Sequence, residues 1–138
     1  MKAYKIEELI PQRAPFILVD KLIEFDKQCF KSKFYLSPDH YFARDKVFAA
    51  EGLIENMAQT AAAGVGYEYR QAAKDIKIGY IGAIQKVAIN ELPLLLTTIT
   101  TVVTRTNTVM NVEIVKCEVF NKNGRLIASS EMKVFINQ

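Results

Sequence analysis

The chain has 138 residues, of which 50% are hydrophobic and 24% charged, and its formal net charge is +3. This length and composition predict one globular domain over residues 1–138, with a core that needs no disulfide or metal. The charge is mild and no lysine-rich stripe with interleaved aromatic residues is present, so nucleic acid is not an expected partner. No apolar run approaches the ~20 residues that a membrane span requires.

The residue types that bind soft metals are few. Cys29 and Cys117 lie far apart in sequence, and His40 is the single histidine. Because tetrahedral sites require several such ligands, we expect no metal site. The first residues, MKAYKIEELIPQR, are charged throughout and lack the apolar core of a signal peptide, which predicts a cytoplasmic protein.

The first part of the chain predicts a helical turn, two strands and a loop. The turn covers residues 6–10 and is stopped by Pro11. Residues 16–25 and 29–36 are rich in β-branched and aromatic side chains and predict two strands joined by a tight turn. Residues 37–50, SPDHYFARDKVFAA, are polar and irregular, which predicts a loop long enough to have a function.

A long helix is predicted over residues 50–74. Glu51 lies near its start, while Arg70 and Lys74 lie near its end, as the helix dipole favours. One side of this helix is made of small residues: Ala58, Ala61, Ala62, Ala63, Gly64 and Gly66. A helix with so thin a side is expected to lie close against a sheet.

The remaining residues predict strands. These strands cover residues 77–89, 94–106, 108–120 and 126–136, and the Asn-Gly pair at 123–124 is a strong hairpin signal between the last two. With the two strands before the helix, they predict an α+β fold in which an antiparallel sheet curls around a single helix.

Two polar residues interrupt the apolar helix. Glu55 and Gln59 are four positions apart and therefore share one side of it. One explanation is that both lie at the rim of a mostly buried helix, wet or hydrogen-bonded. The other is that Glu55 is an acid–base catalyst with His40 as its partner, since apolar surroundings favour proton transfer by a carboxylate. A lone histidine in a loop is more often simply exposed.

Three segments carry a resemblance to a known family. They read IPQRAPFILVDKLIEF at 10–25, LIENMAQTAAA at 53–63 and GYIGAIQKVAINELP at 79–93. In this order they resemble bacterial 3-hydroxyacyl-acyl carrier protein dehydratases, whose motifs read roughly L-P-H-R-x-P-F-L-L-V-D-R and E-A-M-A-Q. The looser loop pattern is more similar to divergent dehydratase-like proteins of aryl-polyene and flexirubin-type pigment clusters. The resemblance implies the hot-dog fold, a long helix wrapped by an antiparallel sheet, in a homodimer or larger assembly with active sites at subunit interfaces.

The resemblance also implies the site. Glu55 matches the catalytic carboxylate and His40 the loop histidine, which usually comes from the opposite subunit. Gln59 matches the glutamine of the helix motif, and the backbone N–H groups of Ala50 and Glu51 match those that hold the thioester carbonyl. We therefore expect Glu55 and His40 to be catalytic and Ala50, Glu51 and Gln59 to bind substrate.

The loop departs from the family pattern. His40 lies one position further from Glu55 than the family's histidine does, so that strict counting places Tyr41 there instead. The family's loop prolines and glycines are missing, the nearby Gly52 is displaced toward the helix, and Gln12 replaces the family's first histidine.

Three functions follow as hypotheses. The first is dehydration of a 3-hydroxyacyl thioester on acyl carrier protein to the trans-2-enoyl thioester, with no cofactor. His40 would take the C2 proton, and Glu55 would protonate or orient the leaving C3 hydroxyl. The second is a hot-dog thioesterase that uses the same carboxylate to activate water, and the third a non-catalytic acyl-binding subunit. A cluster of basic residues suits an acidic carrier protein, or is simply a solvated face: Lys27, Lys31, Lys33, Arg44 and Lys46.

Overall fold

The computed structural model describes residues 1–73 and 79–136. The elements within these residues have the following bounds: a 3-10 turn Ile6–Glu8, β1 Lys21–Phe25, β2 Cys29–Tyr35, β3 Ala43–Arg44, β4 Val47–Phe48, α1 Ala50–Gln71, β5 Gly79–Ile89, β6 Thr98–Val109, β7 Val112–Phe120 and β8 Leu126–Ile136.

Six strands form one antiparallel sheet in the order β1-β2-β6-β7-β8-β5. The helix α1 packs on its inner face, where alternate strand residues such as Val103, Val115 and Met132 join Leu53 and Met57 in the core. The remaining strands, β3 and β4, form a separate small hairpin just before the helix. One helix enclosed by an antiparallel sheet confirms the predicted α+β hot-dog fold.

Small residues let α1 approach its neighbours closely. At Gly66, an added Cβ would lie 2.2 Å from the backbone oxygen of Leu9, a distance that no side chain could accept without movement. Ala61 and Ala63 are buried to 1% and 0% exposure on the same helix. The prediction that this thin helix lies close against a sheet is confirmed, since α1 packs on the inner face of the six-stranded sheet.

The first predicted strand is shorter than expected. Strand β1 begins at Lys21 rather than at residue 16. The backbone of residues 16–18 binds side chains of α1 instead of a neighbouring strand. The predicted loop at 37–50 in turn contains the β3–β4 hairpin, which turns at Asp45 with a φ of 58°.

Later boundaries also differ from the prediction. Strand β6 starts at Thr98 because the preceding residues form a turn in which Leu96 has a φ of 66° and Leu94 bridges Val47. It continues to Val109, where a tight turn at Met110 reverses the chain, so the predicted break near residue 107 was wrong. Helix α1 ends at Gln71, and Lys74 and residues 77–78 lie outside the described residues.

Candidate active site

The site is built around the backbone of residues 16–18, which α1 holds by side-chain hydrogen bonds. The Gln59 amide accepts from the Leu18 N–H at 2.7 Å and donates to the Phe16 oxygen at 2.9 Å. The Asn56 amide donates to the Leu18 oxygen at 2.7 Å. These bonds replace a strand partner, which explains why β1 starts only after this segment.

Glu55 is held by the same glutamine. Its Oε1 accepts a hydrogen bond from Gln59 Nε2 at 3.1 Å, across one turn of α1. Glu55 is partly exposed, whereas Gln59 is 1% exposed and both polar atoms of its amide bind this chain. Glu55 is therefore fixed on its buried side and open on the other, as a group that exchanges a proton with a ligand needs to be.

His40 binds backbone with both ring nitrogens. The Phe42 N–H lies 3.2 Å from Nδ1, and Nε2 lies 3.4 Å from the Ile17 oxygen. Because a backbone N–H can only donate, Nδ1 is the acceptor and the neutral ring carries its proton on Nε2. Three phenylalanines surround the ring, with centroid separations of 5.5 Å for Phe34, 6.0 Å for Phe42 and 5.4 Å for Phe48.

Within one protomer, His40 and Gln59, the partner of Glu55, bind the same peptide group. The carbonyl of Ile17 faces His40, and the N–H of Leu18, in the same trans peptide, faces Gln59. These two groups point in opposite directions. Within the described residues, no hydrogen bond joins His40 to Glu55.

His40 borders an open cavity of about 270 Å³, lined mainly by Ala14, Pro15, Ile17, Asp39 and Tyr41. The Tyr41 side chain is 68% exposed, whereas His40 is partly buried. Of the two residues considered for the acid–base position, His40 is thus the one packed against the segment that α1 holds.

The start of α1 offers backbone donors. The Ala49 N–H binds the Phe42 oxygen at 2.9 Å, and the N–H groups of Gly52 and Leu53 both bind the Ala49 oxygen. Within residues 1–73 and 79–136, the N–H groups of Ala50 and Glu51 have no acceptor, as expected for the first turn of a helix. They can therefore receive a ligand oxygen that gains negative charge.

Gly52 allows the β3–β4 hairpin to lie against this first turn. A Cβ at Gly52 would lie 2.3 Å from the Phe48 ring and 2.9 Å from Phe42 Cβ. In the sequence, Gly52 resembles a loop glycine displaced toward the helix, and its packing against Phe48 is visible only in three dimensions.

The comparisons with known proteins agree with this architecture. The profile of the ApeP-like family, described as ApeP dehydratase, matches residues 4–138. The chain belongs to the ApeP-like dehydratase family. The predicted membership of the hot-dog 3-hydroxyacyl-acyl carrier protein dehydratase-like proteins is confirmed.

A curated relative and two solved structures are also similar to this chain. FabZ of Roseobacter denitrificans, a 3-hydroxyacyl-[acyl-carrier-protein] dehydratase, is 33% identical over 87 residues, which cover 59% of this chain and 57% of that protein. The dehydratase heterocomplex ApeI:P of Xenorhabdus doucetiae has a TM-score of 0.84 at 12% identity, covering 99% of this chain and 93% of that chain. A hypothetical thioesterase with coenzyme A from Streptococcus pneumoniae has a TM-score of 0.69 at 8% identity, covering 85% and 84%. At these identities, the two structures show the shared fold.

The basic residues that form a cluster in the sequence of this ApeP-like chain lie on different surfaces of the structure. Of the basic cluster, Lys31 pairs with Glu24 at 2.9 Å and Lys33 lies opposite Lys21 on β1–β2, whereas Arg44 lies on the β3–β4 hairpin.

In the part of the chain that the structure describes, no group of three or more His, Cys, Asp or Glu residues is arranged for a metal. Among the described residues, no helix is both long and apolar enough to span a membrane.

Sequence reasoning missed Asn56. It is 0% exposed, its Nδ2 binds the Leu18 oxygen, and its Oδ1 accepts from Thr101 Oγ1 at 2.5 Å. The only available signal was an asparagine at the place where the resembled helix motif has alanine. That difference from the motif does not indicate which residues the asparagine side chain binds.

Proposed function

We propose that this ApeP-like protein dehydrates a 3-hydroxyacyl thioester on acyl carrier protein to the trans-2-enoyl thioester. The observation that carries this proposal is Glu55, whose carboxylate is anchored by Gln59 and partly exposed on the central helix of a dehydratase-family chain. The substrate class is that of the FabZ relative, and fatty acid or polyene-type biosynthesis is the proposed setting.

Two features of the geometry support this chemistry. Elimination of water requires removal of a C2 proton and protonation of the C3 hydroxyl, for which Glu55 and His40 are the candidate groups. The free N–H groups of Ala50 and Glu51 would polarise the thioester carbonyl. None of these steps requires a cofactor.

We further propose that the active unit is a homodimer. Strand β5 is an edge of the sheet, and four of its apolar residues are exposed: Tyr80, Ile81, Ile84 and Val87. An edge strand with free backbone groups and apolar side chains favours pairing with a second chain. Such a dimer could bring His40 of one protomer toward Glu55 of the other.

The carrier protein would be recognised in the cytoplasm by the exposed basic residues. Arg44 and Lys46 flank Asp45 on the hairpin that contacts the start of α1, and both are exposed. Since exposed charge pairs are screened by ions, turnover on the carrier-bound substrate should fall with salt more steeply than turnover on a short thioester mimic.

The test supplies purified protein with 3-hydroxyacyl carrier protein thioesters of several chain lengths, aliphatic and aryl, and measures the loss of one water by mass. We expect enoyl product with the wild type and none with Glu55→Gln. The matched control is Glu51→Gln, an exposed side chain of the same helix, which should stay active because only its backbone N–H is used. Dehydration that survives Glu55→Gln would remove Glu55 from the mechanism.

The same assay separates the two alternatives. Release of free carrier thiol without an enoyl product would identify a thioesterase, an activity consistent with the fold shared with the streptococcal protein. Binding of the acyl chain with no reaction would identify a non-catalytic subunit. One observation favours that outcome: both ring nitrogens of His40 already bind backbone of this chain.

A further inference from the structure

The protonation pattern of His40 conflicts with the role of proton acceptor. Nδ1 faces the Phe42 N–H and accepts its hydrogen bond, so the neutral ring has its proton on Nε2. A base that takes a proton at Nε2 needs a lone pair there, which requires the other tautomer. In that tautomer, Nδ1–H would face the Phe42 N–H, and two donors would oppose each other.

We propose, on the basis of the proposed dehydration, that His40 acts as a neutral hydrogen-bond donor through Nε2–H and that Glu55 alone transfers the proton. The Glu55 carboxylate takes the C2 proton, and the same proton then passes to the C3 hydroxyl. The C3–O bond breaks as the double bond forms, water leaves, and Glu55 returns to its carboxylate. His40 donates to an oxygen of the substrate throughout.

The Phe42 N–H is held in place by its surroundings. The Phe42 oxygen accepts from the Ala49 N–H at 2.9 Å, which ties this residue to the start of α1. The Ala43 N–H binds the His40 oxygen at 3.0 Å, closing a turn around Tyr41 and Phe42. The Phe42 N–H, which selects the tautomer, therefore cannot move away from Nδ1 of His40 unless this turn opens.

The other partner of the ring, the Ile17 oxygen, is positioned by α1. Gln59 holds the N–H of Leu18, and Asn56 holds its carbonyl. Asn56 is in turn fixed by Thr101 on β6 and is 0% exposed. Asn56 and Gln59 are accordingly positioning residues, which act on the substrate through His40 and Glu55.

The contact at Nε2 leaves room for a substrate. Its length of 3.4 Å exceeds the usual range of an N–H···O bond, so a substrate oxygen at ordinary length would replace it at little cost. The cavity beside the ring, between Pro15 and Tyr41, gives such an oxygen access.

The first experiment reads the tautomer directly. His40 is the single histidine of the chain, so ¹⁵N-labelled protein gives one imidazole spectrum that needs no assignment. At a pH at which the imidazole is neutral, we expect the shifts of a ring protonated at Nε2. A ring protonated at Nδ1, with a free Nε2, would overturn the proposal. This measurement uses no substrate and is therefore independent of whether the protein is a dehydratase.

The second experiment compares variants in turnover. His40→Gln keeps an amide N–H donor but has no basic nitrogen, whereas His40→Ala has neither. Loss of one hydrogen bond corresponds to about tenfold, so His40→Gln should turn over at least about tenfold faster than His40→Ala. Equal loss in both variants would show that the imidazole is needed as a base and would overturn the proposal. A wild type that dehydrates nothing would refute the proposed function and with it the catalytic role of His40, while the tautomer would still be known.

The positioning role of Asn56 has its own readout. Asn56→Ala should change the ¹⁵N shifts of His40, because the Leu18 carbonyl and its neighbouring peptide lose their support. Thr60→Val is the matched control: Thr60 is also 0% exposed and bonded on α1, to the Asn56 oxygen and to Ser32, but not to residues 16–18. Unchanged His40 shifts in folded Asn56→Ala, or equal changes in both variants, would refute this role.

Discussion

His40 and Gln59 bind the two ends of the same peptide group, the one between Ile17 and Leu18. Nε2 of His40 faces the Ile17 carbonyl, and Oε1 of Gln59 accepts from the Leu18 N–H. Gln59 also holds Glu55, and among the described residues no hydrogen bond joins the histidine to the carboxylate of one protomer. We therefore expect that the two groups that meet one substrate come from different protomers.

Mixing two inactive variants tests this arrangement. If each site takes His40 from one protomer and Glu55 from the other, His40→Ala and Glu55→Ala dimers that exchange subunits will form hybrids with one intact site. Random exchange of equal amounts in a symmetric dimer should then restore about one quarter of the wild-type activity. Native mass spectrometry should first confirm the hybrids, and each variant exchanged with itself is the control. Confirmed hybrids without activity would place both groups in one protomer.

The contact between Glu55 and Gln59 could be predicted from the sequence, whereas the other surroundings of this site could not, for a physical reason. Glu55 and Gln59 are neighbours along one helix, so their contact follows from the helical period alone. Asn56 and Leu18 are 38 positions apart, and their bond depends on how the segment before β1 packs on α1. The strand pattern of residues 16–25 gave no sign that side chains of the helix would replace a strand partner.

The position of the histidine in the loop before α1 could not be predicted from sequence spacing either. Strict counting from Glu55 places Tyr41, rather than the expected His40, at the position of the family's histidine, since spacing assumes a regular loop. The β3–β4 hairpin and the turn that bonds Ala43 to His40 alter that spacing. Only the packed structure shows that the imidazole lies inward, while the phenol is 68% exposed.

Replacement of Gly66 tests how closely α1 must approach the N-terminal turn. Alanine is the better helix former by about 1 kcal/mol, so propensity alone predicts a gain for Gly66→Ala. Because the new Cβ would lie 2.2 Å from the Leu9 oxygen, we expect overpacking to dominate and the free energy of unfolding to fall by about 2 kcal/mol. Urea denaturation measures the difference.

A second glycine provides the control for this prediction. At Gly124, an added Cβ has nothing within 4 Å, and only the φ of 80° opposes alanine. Gly124→Ala should therefore cost about 1 kcal/mol, from the left-handed conformation alone. A Gly66→Ala variant more stable than the wild type would show that the helix and the Leu9 backbone are not in close contact.

The ion pairs of Arg105 are expected to contribute more to the free energy of unfolding than any exposed ion pair does. Its side chain is 10% exposed, binds Glu68 at 2.8 Å and Glu113 at 3.1 Å, and lies 4.9 Å from the Phe30 ring centroid. Arg105→Met leaves two carboxylates without their cation, one of them 14% exposed, and should lower the free energy of unfolding by about 3 kcal/mol.

Lys31→Met is the comparison for Arg105. Lys31 pairs with Glu24 at 2.9 Å, but the two side chains are 34% and 65% exposed. Its loss should cost less than about 1 kcal/mol, and less still at high salt. Equal effects of the two substitutions in thermal unfolding would mean that the Arg105 cluster is as well solvated as the surface pair.

The two cysteines should differ in reactivity in the folded protein. Burial raises the pKa of the Cys117 thiol to about 12, and Cys117 is 0% exposed, whereas Cys29 is partly exposed. The thiolate is the reactive form, so a thiol-specific reagent near neutral pH should modify Cys29 and leave Cys117 intact. Cys29→Ser should then show no labelling until denaturant is added.

The same burial gives stability a dependence on pH. In the unfolded chain the Cys117 thiol ionises near its ordinary pKa of 9.0, while in the folded chain its pKa is about 12. Above pH 9.0 the folded state therefore keeps a thiol proton that the unfolded state loses. The free energy of unfolding should accordingly fall as the pH rises from there toward about 12. Cys117→Ala removes this group and should flatten that part of the profile, measured by urea denaturation at each pH. An unchanged slope in Cys117→Ala would assign the alkaline loss to other groups, and rapid labelling of native Cys117 would show that the sheet opens at β7.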